Sequence, residues 1–335
     1  MQLLWTQLPS VPDAEGFASP FAGIGNDALL VGGGANFPGK RPWEGGVKIW
    51  HDTVFALPSP GGAWRAVGRL PRPCAYGVSV THGGGVICAG GGDAREHFRE
   101  VYKLTWDGGE LAVEPLPALP RPCAFSCGAL VGDVFYLAGG IEAPDSTRAM
   151  HTFWALDLTR AAAGWRELPP WPGRERMLAV AAGRQEGAGR RGAFYLFGGV
   201  ALRSGANGRP EREPLLADGY AYDIGAGAWR RVADMTPRVA AAAATPAPVA
   251  PDGSVLLCTG DDGTKTHLNG HPAHPGFPRD VLAYKPAADK WEVAGAVPFS
   301  RATVPTVAWH GKWIVVNGER LPGYRSPEVW ALEIR

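Results

Sequence analysis

The sequence predicts an all-β chain, a six-bladed β-propeller whose last blade is closed by the N-terminal strand. Three observations predict it. The first is a repeat: a few apolar residues and then a glycine pair, as LLVGG at 29–33, ICAGG at 87–91, YLAGG at 136–140 and YLFGG at 195–199, with weaker copies LCTGD at 257–261 and VVNGE at 315–319. Counting the first glycine of each copy at 32, 90, 139, 198, 260 and 318, the units are 49 to 62 residues long. A fixed period of this length marks one supersecondary unit per repeat. The second observation is a short strand after each copy: VFAL at 54, VYKL at 101, FWAL at 153, YAYD at 220, VLAY at 281 and VWAL at 329. The third is at the ends. The sixth unit stops after its third strand, at Arg335, while a strand without a unit of its own, LLWTQLP at 3–9, opens the chain. Joining the two closes a ring and removes the open sheet edge that a linear array would leave. Residues 1–335 then form a single propeller domain.

Within a unit the elements follow in order. The glycine after the second strand allows a tight turn without a Cβ clash. The third strand comes next, and near the fourth stands a tryptophan, Trp64, Trp165, Trp229 or Trp291, with Val113 at that place in the second unit. Such a ring is expected to pack between neighbouring blades. A proline-containing turn ends the unit, as in LPRPCA at 70–75 and again at 119–124. Period, glycine pair and tryptophan together resemble the kelch repeat, which forms one four-stranded blade per unit.

Composition excludes several function classes. The chain has 33 Lys+Arg against 32 Asp+Glu, a net charge of +1. That balance argues against nucleic acid, which needs a basic face, and against a polybasic membrane binder. Its 47 Gly and 31 Pro make it rich in turns, but 45% of residues are hydrophobic, so it is not disordered. No run of apolar residues is long enough to span a membrane. The stretch from Val239 to Ala250 is the most apolar and is interrupted by Pro246 and Pro248. The start, Met1-Gln2-Leu3-Leu4-Trp5, lacks the basic and apolar regions of a signal peptide, which points to the cytoplasm, or to the periplasm if a leader has been removed. Five cysteines with no CxxC pair read as free thiols. His267, His271 and His274 share one loop, but its Gly and Pro deny them a helical face, so no metal site is expected. No glycine loop opens a helix to cradle a phosphate, and no cofactor is implied.

In a propeller, function concentrates on loops around the central channel. At or just after the glycine turns lie Asp93, Glu142, Asp261 and Glu319, which predicts an acidic arc at one mouth. Arg72, Arg121, Arg174, Arg176, Arg238 and Arg301 occupy the blade-to-blade loops and are expected on the same face. Such a mixture suits a polar, anionic small ligand. In the fifth and sixth units the second glycine reads as replaced by Asp261 and Glu319. A carboxylate at a tight turn has a backbone cost that suggests use. Glu319 is followed by Arg325 in the same short loop, so one group could move protons while the other holds an anion. The first unit has a long loop over 32–57, with Asn36, Arg41 and Glu44 as polar candidates and Trp43 as a platform for a sugar ring.

Three segments carry a closer likeness. GFASPFAGIGNDALLVGGGANF at 16–37, GRLPRPCAYGVSV at 68–80 and IVVNGERLPGYRSPEVWAL at 314–332 resemble segments of the N-acetylneuraminate epimerase (sialic acid mutarotase) family. In that family the first two lie late in the chain and the third in the middle. The chain thus resembles a cyclically permuted member, an arrangement that a ring tolerates. The resemblance implies a kelch propeller that interconverts the α and β anomers of N-acetylneuraminate without metal or cofactor. It also implies a catalytic Glu and Arg in an N-G-E-x-x-x-G-x-R pattern, matched here by Asn317, Gly318, Glu319, Gly323 and Arg325. Glu319 would be the general base and then acid, Arg325 would hold the sugar's carboxylate, and Asn317 would line the site. This sequence departs from the family in its missing export signal and its shorter fifth-blade loop.

Two other classes fit a kelch propeller. A non-catalytic binding module for a protein or carbohydrate would need no carboxylate in the sixth turn. A copper radical oxidase would need two Tyr and two His around the channel; Tyr76, Tyr324, His51 and His97 exist, but no pattern marks them.

Overall fold

The structure, a computed structural model, describes residues 1–187 and 191–335. It has six blades around a channel. Blade one is Phe21–Gly25, Ala28–Gly32, Thr53–Leu57 and Arg65–Arg69. Blade two is Val78–His82, Gly85–Ala89, Val101–Thr105 and Ala112–Leu116; blade three is Cys127–Val131, Val134–Ala138, Phe153–Asp157 and Arg166–Leu168. Blade four is Val180–Gln185, Gly192–Phe197, Gly219–Asp223 and Ala228–Val232. Each is an antiparallel sheet in chain order, with the first strand innermost. There Ala22 N and Ile24 N of blade one donate to Ser79 Oγ and Thr81 Oγ1 of blade two, both at 2.9 Å.

Blade six joins both ends of the chain. Its sheet runs Thr306–Trp309, Lys312–Val316, Val329–Ile334 and then Leu3–Leu8. The closing strand pairs from Leu3 with Ile334 to Leu8 with Val329.

Blade five departs from the pattern. It has three regular strands, Val255–Cys258, Asp280–Lys285 and Lys290–Ala296. The innermost place is taken by the alanine- and proline-rich stretch, which is tied on irregularly by Leu256 N to Pro248 O (2.8 Å) and Ala244 N to Cys258 O (3.3 Å). Proline has no N–H for a ladder, so Pro246 and Pro248 prevent a continuous strand.

The hydrophobic core is divided among the interfaces. Adjacent blades share apolar clusters, such as Phe197, Leu257, Tyr284 and Trp291 between four and five, and Leu29, Val31, Val316 and Val329 between six and one. Tryptophans tie the ring together. Trp64, Trp165, Trp229 and Trp291 each donate through Nε1, at 2.8–2.9 Å, to Pro9, Pro117, Pro169 and Ala233, carbonyls just beyond the outer strand of the preceding blade. Trp5 in the closing strand does the same to Ala296 at 3.1 Å. Val113, 37% exposed, stands where blade two would have its tryptophan and has no side-chain N–H to offer.

Three histidines are held below their ordinary value of 6.5, chiefly by burial: His51, His97 and His274. His97 lies 8% exposed with Nδ1 3.1 Å from Ile141 O. Below pH 6.5 the unfolded chain binds protons that these rings refuse, so stability is full above that value and lost as pH falls beneath it. Thermal melts from pH 7.5 to 5 should give a falling Tm, with a slope of at most about 1.4 kcal/mol per pH unit for each histidine. His97→Gln should flatten part of it; an unchanged slope in that variant would exclude His97 as a contributor.

Candidate active site

The channel is ringed by backbone. Before its innermost strand or segment, each blade sends in one residue: Ser19, Tyr76, Phe125, Leu178, Ala242 and Thr303, all with φ between 44° and 66°. Their peptide groups close a circle, each N–H donating to the carbonyl of the residue in the preceding blade at 2.7–3.2 Å. Left-handed conformations are costly for residues with a side chain, and the circle of hydrogen bonds holds them in place.

The residue before each ring position bridges to a residue in the loop after its own blade's second strand. The bridged residues are Ala35, Gly92, Ile141, Val200, Asp261 and Glu319. Blades five and six therefore place a carboxylate where the others have Ala, Gly, Ile or Val.

This register corrects the expectation about the glycines. The paired left-handed positions are Gly33 and Gly34, Gly90 and Gly91, Gly139 and Gly140, and Gly198 and Gly199, then Thr259 and Gly260, and Asn317 and Gly318. The replaced glycine is the first of the pair, and the replacements are Thr259 (φ 66°) and Asn317 (φ 55°). Asp261 and Glu319 follow the turn, so neither bears its backbone cost. A Cβ on Gly198 would meet Ala240 O at 2.1 Å, which explains glycine at that place in four blades.

Glu319 opens a small hairpin, Glu319–Leu321 with Tyr324–Arg325, in which Glu319 and Arg325 are cross-strand partners. That pairing explains the spacing of the motif. Arg325 Nη1 forms a salt bridge with Glu319 Oε1, which also accepts Gly323 N at 2.9 Å; neither bond uses Oε2. Gly323 turns the hairpin at φ 87°, and a Cβ there would meet the Trp43 ring at 2.7 Å.

The hairpin forms one wall of a cavity of about 460 Å³ over the ring. Tyr76, Phe125, Leu178, Ala242 and Thr303 line its base; Glu319, Arg325, Asp261, Lys48, Arg212 and Asn269 supply its polar groups. The size suits a single sugar. A larger groove, about 790 Å³, lies between blades three and four, lined from their innermost strands at Val131 and Gln185 out to Arg166 and Gly227, and contains none of the expected site residues.

The expected residues divide accordingly. Glu319, Arg325 and Asp261 line the cavity. The side chain of Arg325 is 3% exposed, with Nη1 on Glu319 and Nε on Ala35 O at 3.3 Å, so Nη2 is the part of its guanidinium left for a ligand's carboxylate. Asn317 is fully buried at the turn, away from the cavity lining. Asn36, 1% exposed, donates to Gly16 O (3.1 Å) and contacts His51 Nε2 (2.8 Å), pinning its own loop.

Arg41 is held by Glu15 through two contacts of 2.6 and 3.1 Å and lies 4.3 Å over the Tyr324 ring. Glu44 caps its own turn by accepting Arg41 N at 2.8 Å. Trp43 packs on Tyr324, with ring centroids 5.4 Å apart. The long loop of blade one thus clasps the hairpin of blade six instead of offering a platform to the ligand.

Asp93 and Glu142 sit one residue beyond the mouth positions. Asp93 accepts Arg95 N and Glu96 N, and Glu142 pairs with Arg121 at 3.2 Å in solvent. The interblade arginines are paired as well. Arg72 and Arg174 meet Glu96 and Glu213 at the surface, while Arg176, Arg238 and Arg301 are buried or nearly so against Asp218, Asp280 and Glu328. None of the six lines the cavity.

Among the described residues no group of three or more His, Cys, Asp or Glu is placed to hold a metal, and the His267–His271–His274 loop gathers none. Tyr76 stacks on Phe125 and His97 packs against the same ring from the edge, whereas Tyr324 meets Trp43 and His51 meets Phe17.

Sequence reasoning missed Lys48, Arg212, Asn269 and Phe277. All four lie in loops or hairpins outside the repeat, where no period marks them.

The profile of the family described as N-acetylneuraminate epimerase matches residues 1–113. A Yersinia enterocolitica protein named N-acetylneuraminate epimerase is 37% identical over 131 residues, covering 34% of this chain and 32% of the relative. One of the same name from Brucella suis is 40% identical over 117 residues, 32% of this chain and 30% of that one. One from Salmonella enteritidis is 36% identical over 129 residues, 34% and 33%. The chain spans about a third of the length of these curated relatives. The solved structure titled "Structure of YjhT" superposes with a TM-score of 0.72 over 98% of this chain and 97% of that one, at 15% identity. Residues 1–113 supply Phe37, Pro42, Lys48 and Tyr76 to the cavity, whereas Glu319 and Arg325 lie outside that segment. The sequence relationship to the N-acetylneuraminate epimerase family is thus carried by residues 1–113, and the likeness to the YjhT propeller by the whole chain.

Proposed function

We propose that the chain is an isomerase that accelerates interconversion of the α and β anomers of N-acetylneuraminate, with Glu319 moving the proton. The observation that carries this reading is a carboxylate, oriented by a buried arginine, in the wall of a sugar-sized polar cavity. The names of the relatives supply the substrate.

In the reaction, Glu319 Oε2 takes the proton of the anomeric hydroxyl. The bond between anomeric carbon and ring oxygen breaks, its electron pair goes to the ring oxygen, and the new carbonyl forms. Glu319 returns its proton to the ring oxygen, which becomes a hydroxyl. The open chain turns about the bond next to the carbonyl, and the same steps in reverse close the other anomer. Nothing is oxidised or reduced, and one group serves as base and then acid.

Arg325 acts through Glu319, holding Oε1 so that Oε2 keeps one direction. Thr303, Ala242 and Leu178 give the base of the cavity apolar atoms for the face of a sugar ring. We read the order of the segments as a cyclic permutation of the family's order. Gln2 N donates to Arg335 O at 2.7 Å and Arg335 N to Gln2 O at 3.0 Å, so the two ends already meet as the halves of a cut ring would.

The test is a proton NMR time course of freshly dissolved crystalline β-N-acetylneuraminate with catalytic amounts of protein. Faster approach to anomeric equilibrium than in buffer is expected. Acceleration of a neutral aldose instead would keep the chemistry and change the substrate. No acceleration of any reducing sugar would overturn the reading and favour a binding module.

A further inference from the structure

We propose that Lys48 receives the carboxylate of the sugar acid, and so sets the preference for an acidic over a neutral substrate. The inference rests on the sialic acid reading above and deepens it.

Three cationic side chains line the cavity: Arg325, Arg212 and Lys48. Arg325 is buried, with Nη1 and Nε committed to Glu319 and the Ala35 carbonyl. Arg212 is exposed, in the hairpin Val200–Ser204 with Pro210–Leu215, and no ring or hydroxyl braces it among the described residues. Lys48 differs from both. It is half-buried and makes no ion pair among the described residues. Its ammonium donates to Tyr76 Oη at 3.2 Å and lies 5.2, 5.4 and 5.7 Å from the ring centroids of Tyr76, Trp50 and Phe37.

The rings stabilise the charge by cation–π attraction, but they leave hydrogen-bond capacity unused. An ammonium has three donors, and Tyr76 takes one. A partly desolvated charge without a counter-ion is a cost that an anionic ligand removes. The support is fixed in advance: Tyr76 is a member of the backbone ring at φ 66° and stacks on Phe125 with centroids 4.4 Å apart. Every other cation named around the channel has a carboxylate partner, or lies in the open like Arg212.

The position also serves the reaction. In N-acetylneuraminate the carboxylate is attached to the anomeric carbon. A cation that holds it fixes the neighbouring anomeric hydroxyl, the group from which Glu319 takes its proton. Lys48 thus binds and orients, and Glu319 reacts.

The test compares N-acetylneuraminate with its methyl ester, the same sugar without the charge. Binding is measured by calorimetry and anomeric exchange by NMR, for wild type, Lys48→Met and Lys48→Arg. Methionine keeps an apolar stem among the rings; Lys48→Gln is the second uncharged variant if Lys48→Met does not fold. Wild type should bind the acid about 10- to 100-fold more tightly than the ester. The uncharged variant should bring that ratio close to one, mainly through KM, and Lys48→Arg should restore most of it. If wild type accelerates exchange but the uncharged variant keeps the full acid preference, Lys48 is not the receptor and the mutarotase reading stands. If the acid binds in a Lys48-dependent way without acceleration, the receptor stands and the mutarotase reading falls. If the acid neither binds nor exchanges faster, both are overturned.

Discussion

Glu319→Gln should abolish most of the catalysed mutarotation, lowering the protein-dependent rate by about 10²–10⁴-fold, the usual contribution of a positioned acid–base group. Glutamine has nearly the same shape, and its amide oxygen can still accept Gly323 N, so the hairpin should keep its turn. What it loses is the ability to take a proton and the charge that holds Arg325. The fall should therefore appear in kcat, with a smaller change in KM, and the melting curve should stay cooperative but shift to lower temperature, because buried Arg325 loses its counter-ion. NMR of the anomeric protons reads the rate, and a thermal melt checks the fold. A variant within about twofold of wild type would move the base elsewhere, with Asp261 as the other carboxylate in the cavity.

Deleting residues 1–9 should unfold the protein or leave it aggregated. The segment contributes all of the outer strand of blade six, Leu3–Leu8, paired with Val329–Ile334. Each backbone hydrogen bond of the ladder is worth roughly 0.5–1.5 kcal/mol net. Trp5 adds a T-shaped contact with Phe299 at 5.2 Å and the Nε1 bond to Ala296, and Pro9 receives Trp64 from blade one. Together these approach the about 5–15 kcal/mol that holds a typical domain. The loss also leaves Val329–Ile334 as an exposed edge, ready to pair with another chain. Size exclusion and a thermal melt decide it. A monomer with a cooperative transition within about 2 °C of the full chain would mean that the strand is an ornament and the ring closes without it.

The blades were legible because a propeller writes its architecture as a period. The apolar runs before Gly90, Gly139 and Gly198 became second strands, and VFAL, VYKL and FWAL became third strands. The pairing of Leu3–Leu8 with Val329–Ile334 was legible as a count of strands. The Glu319–Arg325 spacing was legible because it is local, one short hairpin.

What failed to be read was set by contacts between blades. The fifth and sixth copies keep one glycine of the pair, Gly260 and Gly318, and nothing local tells whether it is the first or the second, so the backbone cost falls on Thr259 and Asn317 instead of the expected Asp261 and Glu319. Trp43 faces Tyr324, nearly three hundred positions away in the chain, and nothing local announces that. Arg176 and Arg301 look like exposed loop arginines in sequence, yet close packing and Asp218 or Glu328 make them buried struts. Lys48 reaches the cavity through the position of its loop, which no motif encodes.

The central claim is that this propeller interconverts sugar anomers through Glu319. The most direct measurement is a two-dimensional NMR exchange spectrum of N-acetylneuraminate at anomeric equilibrium, with substoichiometric wild type or Glu319→Gln. Cross-peaks between α and β resonances that appear with wild type and vanish with the variant are the predicted result. Spectra identical to buffer with wild type, or equal cross-peaks with wild type and the variant, would contradict it.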